Sequence, residues 1–119
     1  MTIPPVRPLE KSNAQFARAV KRLPLGVAST FRYWGDERTI YVHHGKGGRT
    51  WDIDGNRYVD YRLGYGPAIL GYADDRVDAA ARRGMEVGGV FALSTERELI
   101  VADRIAKMVP AAELVRFSN

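Results

Sequence analysis

The apolar positions of the chain change their period as it proceeds. After a Pro-rich opening from Pro4 to Pro8, which reads as an extended arm, Phe16, Ala19, Val20 and Leu23 recur at helical spacing. Ser12 stands three residues before Gln15, a capping-box pattern, and Pro24 and Gly26 stop the run. One short amphipathic helix is expected there, its apolar face packed on the body or on a partner subunit. From Thr39 to Tyr61 the pattern shifts to short alternating stretches: Ile40 and Val42, then Gly45-Lys46-Gly47-Gly48 as a turn, Trp51 and Ile53, Asp54-Gly55-Asn56 as a second turn, and Arg57 to Tyr61. This predicts a small antiparallel meander. Beyond the glycine-rich stretch Gly64 to Gly71, Asp74 or Asp75 can cap a helix with Val77, Ala81, Gly84 and Met85 on its inner face, ended by Gly88 and Gly89. A second capping box, Thr95 with Glu98, opens a helix carrying Leu99, Ala102, Ile105, Ala106 and Val109 up to Pro110. Both helices are expected to be well buried. Leu114 to Phe117 reads as a buried strand close to the end of the sequence, with few parallel partners before it, so the sequence looks cut.

With 119 residues and 45% apolar side chains, the chain has the size of one compact domain and enough apolar surface to build a core. Without cysteine it has neither a disulfide framework nor a thiolate metal site. Its apolar runs fall short of the roughly 20 residues of a membrane span, and its start lacks a signal-peptide stretch, so a soluble cytoplasmic protein is expected. The net charge of +4 arises entirely within residues 1–38, where Arg7, Lys11, Arg18, Lys21, Arg22, Arg32 and Arg38 face Glu10, Asp36 and Glu37. Those cations are scattered over a tail, a helix face and a loop, which argues against nucleic acid as a partner.

The residues that carry chemistry are few. His43 and His44 are neighbours on an expected strand and should point to opposite faces, poor geometry for a shared metal. Lys46 among glycines lacks the Walker spacing and reads as a solvated turn residue. Asp52 and Asp54 suit an acid/base couple by type, yet as residues flanking a hairpin they are better read as turn and edge-strand positions. On these grounds the chain is an α+β or α/β domain of unassigned activity.

The run Trp51-Asp52-Ile53-Asp54-Gly55-Asn56-Arg57-Tyr58-Val59-Asp60-Tyr61, followed by Gly64-Tyr65-Gly66-Pro67-Ala68-Ile69-Leu70-Gly71, resembles the signature of class III, fold type I, pyridoxal-phosphate aminotransferases, nearest the glutamate-1-semialdehyde 2,1-aminomutase branch. Val115-Arg116-Phe117-Ser118-Asn119 resembles the strand that in the family runs into a Ser-Gly-Thr segment. The blocks keep compatible spacing over roughly residues 12–119.

The resemblance implies an α/β enzyme of which this is the N-terminal part. Residues 1–37 would be an arm, helix and active-site-mouth loop, residues 38–66 the meander of the small domain, and residues 67–119 the first helices and first strand of the large cofactor-binding domain. Gly26-Val27-Ala28-Ser29-Thr30-Phe31-Arg32 resembles the family's mouth loop, which makes Ser29 and Arg32 substrate-binding candidates, with Arg32 able to grip a carboxylate. Thr30 and Phe31 depart from the family's Pro and Val. Tyr65 stands where the aminomutase branch has Trp and is a candidate wall of the substrate pocket. Gly64, Gly66 and Gly71 are better explained by backbone geometry than by ligand contact. Asn119 is the candidate cofactor contact, whereas the lysine, phosphate cradle and ring partners of pyridoxal phosphate fall outside this sequence. The resemblance therefore implies a homodimeric aminotransferase acting on a small amino donor and a carbonyl acceptor. An aminomutase and a short non-catalytic interaction polypeptide are the alternatives.

Overall fold

The structure, a computed structural model, describes residues 7–118. They fall into two compact units, one running to Asp78 and one beginning at Ala79. In the first, helix α1 (Glu10–Ala19) precedes two single 3-10 turns and a three-stranded antiparallel meander of β1 (Val42–Lys46), β2 (Arg49–Asp52) and β3 (Arg57–Val59). The expected meander forms, with differences of detail. Ile40 precedes the first strand, Gly45 and Lys46 are paired with Thr50 and Arg49, leaving Gly47-Gly48 as the turn, and Ile53, Asp60 and Tyr61 lie beyond the ends of β2 and β3.

Helix α1 starts differently from the expected pattern. Leu9 occupies the cap position and offers no side-chain hydrogen bond, while Ser12 lies inside the first turn, fully buried. The cap comes from Asp54, 42 residues away: its carboxylate accepts from the Lys11 N–H at 2.7 Å, the Ser12 N–H at 2.9 Å and the Ser12 hydroxyl at 2.6 Å. A carboxylate at this end satisfies N–H groups that the helix cannot pair internally and meets the positive end of its dipole. Ser12 and Gln15 thus match a capping box by local spacing, but a distant acid takes the place of Ser12.

Asp54 is aimed by its neighbour Asp52, the last residue of β2, which is 2% exposed. The Asp52 carboxylate accepts from the N–H of Asp54 at 3.0 Å, the N–H and side-chain amide of Asn56 at 2.8 and 2.9 Å, and the Tyr58 hydroxyl at 2.7 Å. Burial alone would push this carboxyl up, but the bonds from Asn56 and Tyr58 outweigh it and hold Asp52 below its ordinary value. Asn56 also donates to the Pro8 carbonyl at 2.7 Å, and Arg7 donates to the Arg57 carbonyl at 2.6 Å with its guanidinium over the Tyr58 ring. Residues 7 and 8 are therefore tied to the meander; residues 4–6 of the expected arm lie outside the described residues.

The turn Gly47 pairs with Tyr72 through two backbone bonds of 2.9 and 2.8 Å. This contact depends on glycine. Gly71 has φ +82°, and a Cβ there would fall 2.7 Å from the Gly47 carbonyl carbon; a Cβ on Gly45 would fall 2.6 Å from the Tyr72 ring. Lys46, expected to be solvated, closes the β1 end, donating to the Ala73 carbonyl at 2.6 Å and to Asp75 at 3.1 Å.

Helix α2 (Asp75–Glu86) begins under Asp74, which accepts from the N–H groups of Arg76 and Val77, so Asp74 is the capping acid. Helix α3 (Glu96–Met108) begins with the Glu98 carboxylate accepting from the Thr95 N–H at 2.9 Å, as its capping box predicts. The expected burial of these helices is not found. Val77, Met85, Leu99, Ile100 and Val101 are exposed, and Val27 is the single buried apolar residue among the described residues. The apolar composition suffices for a core, but its side chains face outward because no described element packs over them. The expected strand at 114–117 is also not formed, and Leu114 is 95% exposed: an isolated segment has no ladder to join. Among the described residues, no helix is long and apolar enough to cross a membrane.

Two outcomes test this architecture. Gly71→Ala should destabilise the protein by more than about 1 kcal/mol, because its φ and its contact with the Gly47 backbone both exclude a side chain. Gly48→Ala, which meets nothing within 4 Å, should stay within about 0.5 kcal/mol; denaturant midpoints compare the two. A carboxyl held low in the folded state stabilises it above the unfolded value, near 3.9 for Asp, and that contribution is lost as pH falls through the folded value. Thermal stability should therefore drop on acidification below about pH 4, and less steeply in Asp52→Asn.

Candidate functional site

The segment Gly26–Trp34 is shaped by its own backbone and by two anchors. Gly26 has φ +67°, and a Cβ there would lie 2.8 Å from the Phe16 ring, so α1 sits directly against this bend. Phe16 of the apolar face thus packs against this bend, whereas Val20 and Leu23 of the same face remain exposed. Tyr41 donates to the Gly26 carbonyl at 2.8 Å, and the fully buried Thr39 hydroxyl accepts from the Trp34 N–H and donates to the Gly35 carbonyl. Between these anchors Ser29 is extended, its carbonyl accepting from the Arg32 N–H at 2.9 Å, and Thr30–Arg32 makes one 3-10 turn. Arg32 is exposed and has no ion pair among the described residues.

Tyr65 meets this loop from the other side. Its hydroxyl donates to the Phe31 carbonyl at 3.1 Å, and its ring lies tilted to the Phe31 ring at 6.0 Å. The structure therefore brings the Ser29–Arg32 segment and Tyr65 together, although they are more than 30 residues apart in sequence. Tyr65 holds φ +66° with Gly64 and Gly66 on either side at positive φ, so these glycines do serve backbone geometry. The approach to this turn is fixed by Asp60, which accepts from the Tyr72 hydroxyl and, at 2.7 Å, from the Arg62 N–H. The Tyr72 bond is the main reason the Asp60 carboxyl sits below its ordinary value, and Asp60 in turn raises Tyr72.

Two further residues belong to the cluster and carry no motif that would mark them in sequence. The Arg62 guanidinium lies over both the Trp34 ring at 4.9 Å and the Tyr65 ring at 5.1 Å, and donates to the Tyr65 hydroxyl at 2.5 Å. The i, i+3 spacing of Arg62 and Tyr65 across a tight turn is the one signal that hints at the contact.

Elsewhere, the histidine pair departs from expectation. A bulge between Val42 and His44 breaks the strand alternation, so the two Nδ1 atoms approach to 2.9 Å instead of facing apart, and His44 stacks on Trp51 at 4.7 Å. Among the described residues no three His, Cys, Asp or Glu side chains gather in a metal-holding group. Asp52 and Asp54 are fully engaged with N–H and O–H donors, as residues that shape a turn and a helix end.

Comparison with known proteins places this arrangement. The glutamate-1-semialdehyde 2,1-aminomutase of Methanocaldococcus jannaschii is 41% identical over 111 residues, covering 93% of this chain and 26% of that protein. Over nearly its whole length the chain is thus similar to a part of glutamate-1-semialdehyde 2,1-aminomutases and of transaminases. Among solved structures, an omega-transaminase from Sphaerobacter thermophilus superposes with a TM-score of 0.82 at 33% identity, over 89% of this chain and 24% of that one. A transaminase with pyridoxal phosphate bound superposes at 0.84 with 29% identity, over 95% and 26%. No family model matches. The segment spans about a quarter of the length of the curated relatives it matches.

The family's cofactor does not find its site in these residues. Lys11, Lys21, Lys46 and Lys107 are all exposed, and Lys46 is occupied by Ala73 and Asp75, whereas a Schiff-base lysine needs desolvation to become nucleophilic at neutral pH. Asn119, the candidate cofactor contact, lies outside the described residues. The 119-residue chain, incubated with pyridoxal phosphate and freed of excess, should carry no stoichiometric borohydride-trappable adduct on a single lysine, as read by intact mass.

Proposed function

We propose that the whole enzyme to which this segment belongs is a pyridoxal-phosphate-dependent aminotransferase, moving an amino group from a small amino donor to a carbonyl acceptor. In this reading the segment supplies the substrate-side wall and no catalytic residue. The relatives' names and the transaminase with bound cofactor support the activity. The observation that carries the segment's role is the meeting of the Ser29–Arg32 loop with Tyr65, together with an Arg32 side chain that is exposed and has no ion pair among the described residues.

An unpaired guanidinium presents a planar fork of donors that matches a carboxylate, and the half-buried Ser29 lies in the same loop. Residues 1–37 would then form an arm, a helix and the loop at the mouth of the site, residues 38–66 the small-domain meander, and residues 67–119 the start of a fold type I large domain. We place the enzyme in the cytoplasm as a homodimer, consistent with the apolar side chains that the segment exposes. The aminomutase reading, in which one substrate both gives and receives the amine, is favoured by the names of the curated relatives. Tyr65 and Thr30, where that branch resembles Trp and Pro, favour the general aminotransferase. Assaying glutamate-1-semialdehyde isomerisation against amine transfer to a 2-oxo acid separates the two.

In the full-length enzyme, Arg32→Ala should lower kcat/KM for a carboxylate-bearing amine by about one to two decades, since hydrogen bonds to charged groups contribute roughly 1.5–3 kcal/mol. Arg32→Lys keeps the charge, loses the fork and should fall between. An amine without a carboxylate should be nearly indifferent to both. Equal losses for the two substrates would mean that Arg32 supports the loop and does not bind substrate.

A further inference from the structure

Tyr65 adopts a left-handed backbone that a side chain disfavours, and Leu63 two residues earlier does the same at φ +51°. Such conformations cost on the order of 1–3 kcal/mol each and persist where surrounding contacts over-determine them. Within the cluster, two groups hold the Tyr65 phenol: the Phe31 carbonyl, which accepts from it, and Arg62, which donates to it. Arg62 is itself fixed at both ends. Its backbone N–H is held by Asp60, which also receives Tyr72, and its guanidinium lies over the faces of Trp34 and Tyr65. Among the described residues it has no ion pair, so its charge is met by aromatic faces and one phenol oxygen.

The consequence is a cross-link. Trp34 lies two residues beyond Arg32 in the mouth loop, and Tyr65 belongs to the turn after the meander, so one guanidinium joins the two segments that carry the candidate substrate residues. Without it the phenol keeps only the 3.1 Å bond to Phe31, and the loop around Phe31 and Trp34, whose rings are largely exposed, loses its partner on that side.

We propose that Arg62 is a positioning residue of the substrate pocket, holding Tyr65 against the Phe31 carbonyl and bridging it to the Trp34 ring so that the pocket wall stands assembled beside the Ser29–Arg32 loop before substrate arrives. The proposal rests on the reading of Arg32 and Tyr65 as substrate residues. Preassembly lowers the cost of ordering side chains on binding, so its loss falls on KM more than on kcat.

The test uses the full-length enzyme with Arg62→Ala, Arg62→Lys, Tyr65→Phe and the double variant Arg62→Ala/Tyr65→Phe, measuring kcat and KM for a carboxylate-bearing amine. Arg62→Ala should raise KM about three- to tenfold with kcat within about twofold, the size expected for one cation–π contact and one hydrogen bond. Arg62→Lys should recover part of the loss, because it keeps the charge over the rings and gives up the planar stack. The double variant should be no worse than the poorer single variant, since both remove the same clamp. A wild-type KM in Arg62→Ala while Tyr65→Phe raises KM, or additive losses in the double variant, overturns the clamp. A Tyr65→Phe enzyme with unchanged KM overturns the substrate role of Tyr65 and the clamp with it. Equal losses with both amine types in Arg32→Ala would overturn the Arg32 reading and leave the Arg62–Tyr65 coupling standing.

Discussion

The first unit is organised by two neighbouring carboxylates, Asp52 and Asp54. Taking a carboxylate out of water is costly unless donors replace its hydration, and here they do: four bonds converge on Asp52 and three on Asp54. Asp52 draws in the backbone of the turn that follows it, which fixes where Asp54 points. Asp54 then takes the open end of α1, a helix of ten residues that would be marginal in water by itself. One turn of five residues thus sets both the β2–β3 connection and the position of a helix more than 30 residues upstream.

From that pair the geometry propagates to the site by short steps. With its N-terminus pinned, α1 places Phe16 against Gly26, and Gly26 begins the loop that leads to Ser29 and Arg32. On the other side, β3 leads to Asp60, which holds Tyr72 and the backbone of Arg62, and so delivers Tyr65 to the same loop. Nearly every link in these two routes is a hydrogen bond or a glycine contact; buried apolar area contributes little. A meander of three short strands with a single buried apolar residue among the described positions has no large core to set its geometry, and directional bonds do so instead.

The same reasoning separates what was legible in the sequence from what was not. Strands, turns and helices are readable wherever local pattern decides them: the alternation through Trp51 and from Arg57 to Val59, the Asp54-Gly55-Asn56 turn, and the Thr95–Glu98 box. Ser12 was misread because a capping box is judged within four residues, whereas the acid that caps α1 lies 42 residues on. His43 and His44 were misread because alternation assumes an unbroken ladder, and a bulge between Val42 and His44 resets it. That Ser29, Arg32 and Tyr65 belong to one site is implied only by resemblance to a family, and the part played by Arg62 and Trp34 is marked by no more than the i, i+3 spacing of Arg62 and Tyr65. Helix burial failed for a different reason: apolar periodicity says which face seeks cover and leaves open what covers it.

That last point bears on how the segment works. Val90, Leu93, Leu99, Met108 and Leu114 are exposed in the second unit, whereas the candidate site lies in the first, and exposed apolar side chains of this kind gain by being covered. The directional bonds of the first unit and the exposed apolar side chains of the second answer to different constraints. Hydrogen bonds and glycine contacts are directional, so they can hold the backbone of the Ser29–Arg32 segment against Tyr65 without support from a large core. Apolar burial is nearly indifferent to direction and rewards area alone. A substrate wall needs the first property and a subunit or domain contact needs the second. Placing them in separate units lets the recognition geometry be set locally, by Asp52, Asp54, Asp60 and Arg62, whatever the apolar helices later meet.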